Sequence, residues 1–341
     1  MKRLTVLLLL TALLLTGCAN DSKQEQKQYT ATFLDIFDTM TSIVGKADSE
    51  EAFRQQAQQL HDELLEYHQL FDIYNDYDGI VNLKTVNDQA GIAPVTVDKR
   101  IIALLKDCVS YYDLTEGRVN VAMGSVLSLW HEAREAGIND PAHAYLPQQS
   151  KLEEASRHTA MENLVIDEEA STVYLTDPEA KLDVGAVAKG WSAQRVCENA
   201  PSGLLLSVGG NVCATGPKDE EGTPWVVGVQ DPDGGEAYLN TLYLTKGSIV
   251  TSGDYQRAYV VDGKTYHHII DPDTLYPGRA WRSVTVVCED SALADALSTA
   301  LFLLSQEDGQ ALLEKTNADA MWVDAEGNCF YSPGMESRIR T

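Results

Sequence analysis

The sequence predicts an α+β fold, with mixed or antiparallel sheets, packed helices and room for a bilobal shape. Three observations predict it. From residue 163 onward short β-prone segments follow one another at close intervals. Helical patterns stand among them without the strict alternation of a βαβ array. The earlier part of the chain instead carries long amphipathic helical patterns.

The elements follow in order. Asp48 and Glu51 fit a helix-opening pair, and Phe53, Ala57, Leu60, Leu64, Tyr67 and Phe71 then recur at steps of four and three. Val81-Asn82-Leu83-Lys84-Thr85-Val86 alternates as a strand would, and residues 87–91 read as turn chemistry. A second helix is expected from Asp98 to Tyr112, carrying Ile101, Ile102, Leu105, Cys108 and Val109. Residues 137–150 read as loop, and Ser150 with Glu153 opens a short helix. Strands are expected at 163–167, 172–176, 181–184, 203–208, 225–230, 238–245, 256–262, 265–270 and 282–288. Helices are expected at 187–199, 291–304 and 307–316. No repeat, low-complexity tract or second linker appears after residue 30, so 31–341 reads as one catalytic-sized unit.

With 341 residues, 44% of them hydrophobic, the chain can bury a substantial core, which argues against disorder as its main state. Its 26 basic against 51 acidic side chains give a formal charge of −25, a body that repels phosphate backbones and excludes nucleic-acid binding through a broad basic face. A phosphorylated ligand must then be held locally, by a cation or by aimed N–H groups.

At the amino terminus Lys2 and Arg3 precede an apolar run too short and too early for a spanning helix, the flanks of an export signal. Leu15-Thr16-Gly17-Cys18 resembles the lipobox of bacterial lipoproteins. That resemblance implies a signal peptide over 1–17, a lipid on Cys18 and a body outside the cytoplasm, anchored to a bacterial cell membrane. An uncleaved anchor helix is the alternative. Residues 18–30 are polar and aperiodic, and read as a tether. Cys108, Cys197, Cys213, Cys288 and Cys329 remain, widely spaced and without a CxxC or Cys/His cluster, so a zinc site is not supported. The odd count argues against a full disulfide framework. Burial as small hydrophobes is the expectation, and a single bridge is compatible with an exported chain.

Four segments carry chemistry. Leu182-Asp183-Val184-Gly185-Ala186-Val187-Ala188-Lys189-Gly190 ends a strand at an acid and opens a helix with a lysine in its first turn. A bound anion would favour that lysine against the helix dipole; an ordinary turn with an exposed lysine is the alternative. Ser207-Val208-Gly209-Gly210-Asn211 puts paired glycines after an apolar strand, for close approach to a ligand or for a turn; it is neither a Rossmann nor a P-loop fingerprint. Asp262-Gly263 reads as a hairpin turn that would bring Thr251-Ser252-Gly253 near His267-His268, of which only one can face a given site. Asp295 and Thr299 stand at i and i+4 with Ser298 beside them, oxygens suited to a hard cation such as Mg²⁺, or else to capping and back-bonding within the helix.

Together LDVGAVAKG, SVGGN, TSGDY, HHIIDP and SVTVVCEDSALADALSTAL resemble the ApbE family of FAD:protein FMN transferases, from about Phe37 to residue 331. The resemblance implies an enzyme that moves the FMN part of FAD onto a Thr or Ser hydroxyl of an acceptor flavoprotein and releases AMP, with Mg²⁺ as cofactor and FAD as substrate. It implies a flavin-dinucleotide pocket touched by Met40, Tyr74, Arg118, Val119, Asn120, Asp183, Lys189 and Ile270, alongside Gly209, Gly210 and Thr251 from the glycine and hydroxyl segments. The implied metal ligands are the Ala186 carbonyl, Asp295 and Thr299, with Ser298 adjacent, and His268 is the implied group that orients or deprotonates the attacking hydroxyl. Two positions depart from the pattern: Thr41 stands where many members have glycine, and Ser298 where some have aspartate. Acceptors of the family carry a D-G-x-[ST]-G-A-T-like run, which this chain lacks, so it reads as the modifying enzyme and not its own target. A Mg²⁺-dependent FAD pyrophosphatase and a non-catalytic FAD-binding lipoprotein are the rival readings.

Overall fold

The computed structural model describes residues 26–235 and 237–340. The leader at 1–17, the lipidation candidate Cys18 and the tether up to residue 25 lie outside the described residues. The last tether positions do not form a linker: a strand, β1 (Lys27–Ile36), already begins there. Tyr29, Ala31 and Phe33 alternate inward against the core from it.

β1 turns directly into β2 (Thr39–Ala47) through Phe37 and Asp38, both at φ 51°, the left-handed pair that a tight, right-twisted hairpin requires. Next comes α1 (Glu50–Phe71), whose apolar stripe is buried as its spacing demands. Its cap is Ser49, accepting from the Ala52 N–H at 3.2 Å, one residue after the expected Asp48. The expected strand at 81–86 is instead the start of α2 (Leu83–Asp88). Asn82 caps it by accepting from the Thr85 N–H (3.1 Å), and the buried pair Leu83 and Val86 follows helical spacing while Val81 stays exposed. After a short β3 (Val95–Thr96) come α3 (Lys99–Leu114), capped by Asp98, then α4 (Gly124–Asn139) and α5 (Gln149–Ala155). The loop expected from 137 therefore begins only after Asn139, and α5 opens at Gln148 without a side-chain cap from Ser150.

Then follow β4 (Leu164–Asp167), β5 (Thr172–Leu175), α6 (Ala188–Asn199), β6 (Leu204–Val208), β7 (Asn211–Ala214), β8 (Trp225–Gln230), β9 (Tyr238–Leu244), β10 (Gly247–Gly253), β11 (Tyr259–Val261), β12 (Lys264–Tyr266), β13 (Ser283–Cys288), α7 (Ser291–Leu303), α8 (Gln306–Leu313), β14 (Asp319–Val323) and β15 (Cys329–Tyr331). The expected strand at 181–184 is reduced to a single parallel bridge between Lys181 and Met123. That segment is extended, but the Asn87 side chain stands in for a neighbouring strand: its Nδ2 donates to the Leu182 carbonyl (3.0 Å) and its Oδ1 accepts from the Leu182 N–H (2.7 Å). Residues 267–270 likewise leave the β11–β12 hairpin, because the Ile269 carbonyl accepts from the Gly278 N–H (3.0 Å).

The main sheet runs β1-β2-β6-β7-β10-β13-β14-β15, antiparallel at every pairing. Val250, Val286 and Trp322 face one large hydrophobic cluster built with α1, α3, α6 and α7. Their neighbours Ile249, Val287 and Met321 face a second cluster with Trp225 and Leu244 on the opposite side. A third cluster gathers Trp130, Tyr259 and Tyr266 beside α4. All five described cysteines are free thiols, three of them buried. Among the described residues no helix is long and apolar enough to cross a membrane.

The contact that positions the site is α6 on α7. Gly190 has no side chain to hold the helices apart, and a Cβ there would collide with the Ser291 carbonyl and the Asp295 side chain. The two helices also finish each other: the Gly190 N–H donates to Asp295 (2.8 Å), and the Ser291 N–H donates to Gln194 Oε1 (2.7 Å). Gly190→Ala is expected to destabilise the chain by about 1–3 kcal/mol through overpacking. An unhindered helical glycine would instead gain up to ~1 kcal/mol from the same change. Denaturant unfolding of the two proteins decides the sign.

Candidate active site

A cleft of about 740 Å³ opens where the α6 start, the middle of α7, the end of β10 and the 267–270 segment converge with α4 and the β1–β2 turn. Tyr74, Arg118, Val119, Asn120, Asp183, Ala186, Lys189, Gly209, Thr251, His268, Ile270, Asp295 and Thr299 all line it. Three expected residues do not. Met40 is exposed, and only its carbonyl is engaged, accepting from the Gly209 N–H (3.0 Å). Gly210 supplies the φ of 92° that reverses the chain between β6 and β7. Ser298 is buried and turned away, donating to the Asp295 carbonyl (2.9 Å) and sharing a hydrogen bond with Ser252 Oγ (2.8 Å). It pins α7 to β10, and these bonds engage the hydroxyl that was expected beside the metal ligands.

The three residues expected to supply metal ligands, Ala186, Asp295 and Thr299, share the cleft wall. Asp295 is buried, and α6, whose Val187 provides no side-chain cap, is capped at Gly190 by this carboxylate from the other helix. Lys189 Nζ lies 4.0 Å from Asp295 Oδ2 and donates to the Gly185 carbonyl at 3.3 Å, so the lysine bends back over the turn. Burial pushes the Asp295 carboxyl above the usual range, with Lys189, the Gly190 N–H and Asn211 pulling the other way. Asn211 adjoins the carboxylate, although its Nδ2 falls short of full hydrogen-bond geometry. Asp183 is also raised by burial, against a 2.9 Å bond from the Gly185 N–H and the nearby Arg257. Two carboxylates whose burial is incompletely offset are what a bound cation relieves. Asp295, Thr299 one turn on and Ala186 all line this cleft, and a carboxylate, a hydroxyl and a backbone carbonyl are donors of the kind Mg²⁺ prefers. Among the described residues no group of three or more His, Cys, Asp or Glu side chains could hold a metal ion.

The histidines separate as strand-like alternation requires. His267 Nε2 donates to the Gly278 carbonyl (2.6 Å), its Nδ1 accepts from the Ile269 N–H (3.2 Å), and its ring meets Phe302 edge-on. It is a structural residue. His268 faces the cleft with a buried Nδ1 that has no hydrogen-bond partner. Burial first, and then Arg257, Lys189, His267 and Arg134, hold its pKa down to about 3, so the ring is neutral at neutral pH. The Asp262-Gly263 turn forms, with φ of 50° and 74°. β10 nevertheless pairs with β7 and β13, so Thr251 meets the His268 segment across the cleft and not through that hairpin.

Sequence reading missed several lining residues. His131 stacks on Tyr74 with centroids 4.6 Å apart, making an aromatic platform, and Arg134 donates to its Nδ1 at 2.9 Å. The signal was present: His131, Arg134, Glu135 and Ile138 recur at helical spacing and all line the cleft. Phe37, Asp38, Asp72 and Arg257 also line it. They reach it through tertiary contacts that no local pattern reveals.

A deep cleft with oxygen donors at a helix start, cations in its walls and an aromatic platform defines a binder of an anionic ligand that carries a flat ring. A model of the ApbE family matches residues 35–322, and the chain belongs to that family. The FAD:protein FMN transferase of Treponema pallidum (strain Nichols) is 33% identical over 277 residues, covering 76% of this chain and 75% of that protein. The FAD:protein FMN transferase of Escherichia coli (strain K12) is 26% identical over 343 residues, covering 95% and 93%. The crystal structure of the ApbE protein from Thermotoga maritima superposes with a TM-score of 0.81 at 30% identity, covering 92% of this chain and all (100%) of that one. The flavin transferase ApbE from Vibrio cholerae shares the fold, with a TM-score of 0.75 at 23% identity over 92% of this chain and 99% of that one.

The lowered pKa of His268 has a measurable consequence. Its ordinary value is 6.5 and its folded value about 3, so between them the unfolded chain binds a proton that the folded chain refuses. Stability is therefore lost as pH falls from about 6.5 towards about 3. Unfolding free energies measured across that range should decline less steeply in His268→Gln than in the parent, and parallel curves would remove His268 as the cause.

Proposed function

We propose that this chain transfers the FMN moiety of FAD, as a phosphoester, to a Thr or Ser hydroxyl of an acceptor flavoprotein and releases AMP, in a Mg²⁺-dependent reaction. The reading is carried by one placement: Asp295, Thr299 and Ala186 line the same cleft as the unpartnered Nδ1 of His268. It is supported by relatives that are themselves named FAD:protein FMN transferases.

Asp295, Thr299 and the Ala186 carbonyl would hold the cation, and a hard divalent ion, when bound, withdraws charge from phosphate oxygens. Lys189 adds a fixed positive charge beside them, so an acidic body accepts a pyrophosphate without a broad positive field. The Tyr74–His131 pair offers a ring face for stacking. In the transfer a bond forms between the acceptor oxygen and the FMN-side phosphorus as the bond from that phosphorus to the bridging oxygen breaks, and AMP leaves with the electron pair. His268 takes the hydroxyl proton. Anionic phosphates beside it offset Arg257 and Lys189 and so raise its proton affinity towards the range a general base needs. We further propose that the acceptor carries a D-G-x-[ST]-G-A-T-like run, and that the chain works outside the cytoplasm, anchored by lipid at Cys18. The Lys2-Arg3 start and the Leu15-to-Cys18 sequence support that location.

The test incubates the chain with FAD, Mg²⁺ and a protein bearing the acceptor run, then measures AMP and acceptor mass. An FMN adduct is expected. Free FMN with unmodified acceptor would mean hydrolysis, and unchanged FAD would mean binding alone. Asp295→Asn keeps an acceptor for the Gly190 N–H while removing the charge, and is expected to lower turnover roughly 100-fold or more with a smaller effect on FAD affinity. Ser298→Ala should leave the Mg²⁺ dependence of turnover unchanged, since its hydroxyl faces Ser252. A Mg²⁺ requirement that shifts in Ser298→Ala would restore it as a ligand.

A further inference from the structure

Four cationic side chains line the cleft, and three of them have carboxylate partners. Arg118 reaches Asp271 (3.2 Å) and Asp273 (2.7 Å), Arg134 reaches Glu135 (3.3 Å), and Lys189 stands 4.0 Å from Asp295. Arg257 has no carboxylate partner among the described residues. Its hydrogen bond runs from Nη2 to the Phe37 carbonyl at 3.0 Å, across to the tip of the β1–β2 hairpin. Arg257 is exposed, so its guanidinium is open to an entering ligand, and on a chain of formal charge −25 it stands without the carboxylate that the other three cations have.

The backbone singles out the same residue. Arg257 has φ 45°, a left-handed conformation unfavourable for any residue with a Cβ. The fold holds it there from one side: Asp254 accepts from Arg282 Nε at 2.8 Å, and the Asp254 N–H donates to the Arg282 carbonyl at 2.9 Å. Backbone held in such a region by its surroundings is characteristic of ligand clamps. The charge of Arg257 also bears on both acidic walls, being among the influences that draw Asp183 and Asp295 down against burial. A guanidinium offers several N–H groups in a fork matched to phosphate oxygens, and only one of its bonds is committed here.

We propose that Arg257 binds the phosphate oxygens of the dinucleotide, sharing their charge with Lys189. The identity of the ligand rests on the FMN-transfer reading; the presence of an anion site does not. Binding of FAD and of riboflavin, which has the same ring system and no phosphate, is compared in the parent, Arg257→Gln and Arg257→Lys, and FMN transfer by the parent is assayed in parallel. Arg257→Gln is expected to weaken FAD roughly tenfold or more while riboflavin stays within about twofold, with Arg257→Lys recovering part of the loss. The salt dependence of FAD binding should flatten in Arg257→Gln, which reads the lost charge without riboflavin. Equal weakening of both flavins would make Arg257 a mere tie between the cleft walls and overturn the proposal. Unchanged FAD affinity, or an unchanged salt dependence, would overturn it too. A parent that binds FAD through Arg257 yet transfers nothing would defeat the transfer reading while leaving the phosphate site standing.

Discussion

The bond from the Gly190 N–H to Asp295 is the contact on which the site depends. It joins the first turn of one helix to the middle of another, and it exists only because position 190 lacks a side chain. The helix start gives the buried carboxylate a donor and a favourable dipole, and the carboxylate gives the helix the cap its own sequence omits. One side chain thus serves packing and chemistry together. Its second oxygen and its residual charge remain for the cleft, while its first commitment fixes where they stand. An engineered replacement of Asp295 therefore alters the helix pair as well as the site, and only an isosteric change separates the two.

The rest of the cleft solves a problem of charge. The protein is strongly acidic overall, so attraction for a pyrophosphate must be built at short range. Lys189 and Arg257 are the cations proposed to supply it, and burial first, with those cations behind it, keeps the His268 ring neutral. In the proposed transfer, ligand binding and base strength would be linked, since phosphates beside those cations raise the proton affinity of a neighbouring imidazole.

Much of this was legible in the sequence because it follows helical or strand periodicity. Asp295 and Thr299 share a face at i and i+4, and the two histidines point to opposite sides, as any strand-like pair must. Ser298 shows the limit of phase: it sits beside the right face, yet its short hydroxyl is spent on its own helix and on Ser252. The strand β1 hid behind a polar composition, because as an edge strand it buries only one side. The strand β10 lies between two covered faces and shows little alternation to read. Arg257 and the Phe37–Asp38 turn were out of reach for a different reason: they meet across 220 residues of chain.

The Asn87 side chain has a consequence for how firmly the acidic wall of the cleft is held. A true strand neighbour would hold the Leu182 backbone through a cooperative ladder, which opens only when several bonds are lost together. Here a single amide grips both the carbonyl and the N–H of Leu182, immediately ahead of Asp183 and the turn to Ala186. That grip does not act alone: along the other edge the Asp183 N–H donates to the Val121 carbonyl (2.8 Å) and the Lys181 carbonyl accepts from the Gly124 N–H (3.0 Å). The acidic wall is thereby clasped from two edges, by a borrowed amide on one and by main chain on the other, and it stands as firmly as a strand without belonging to a sheet.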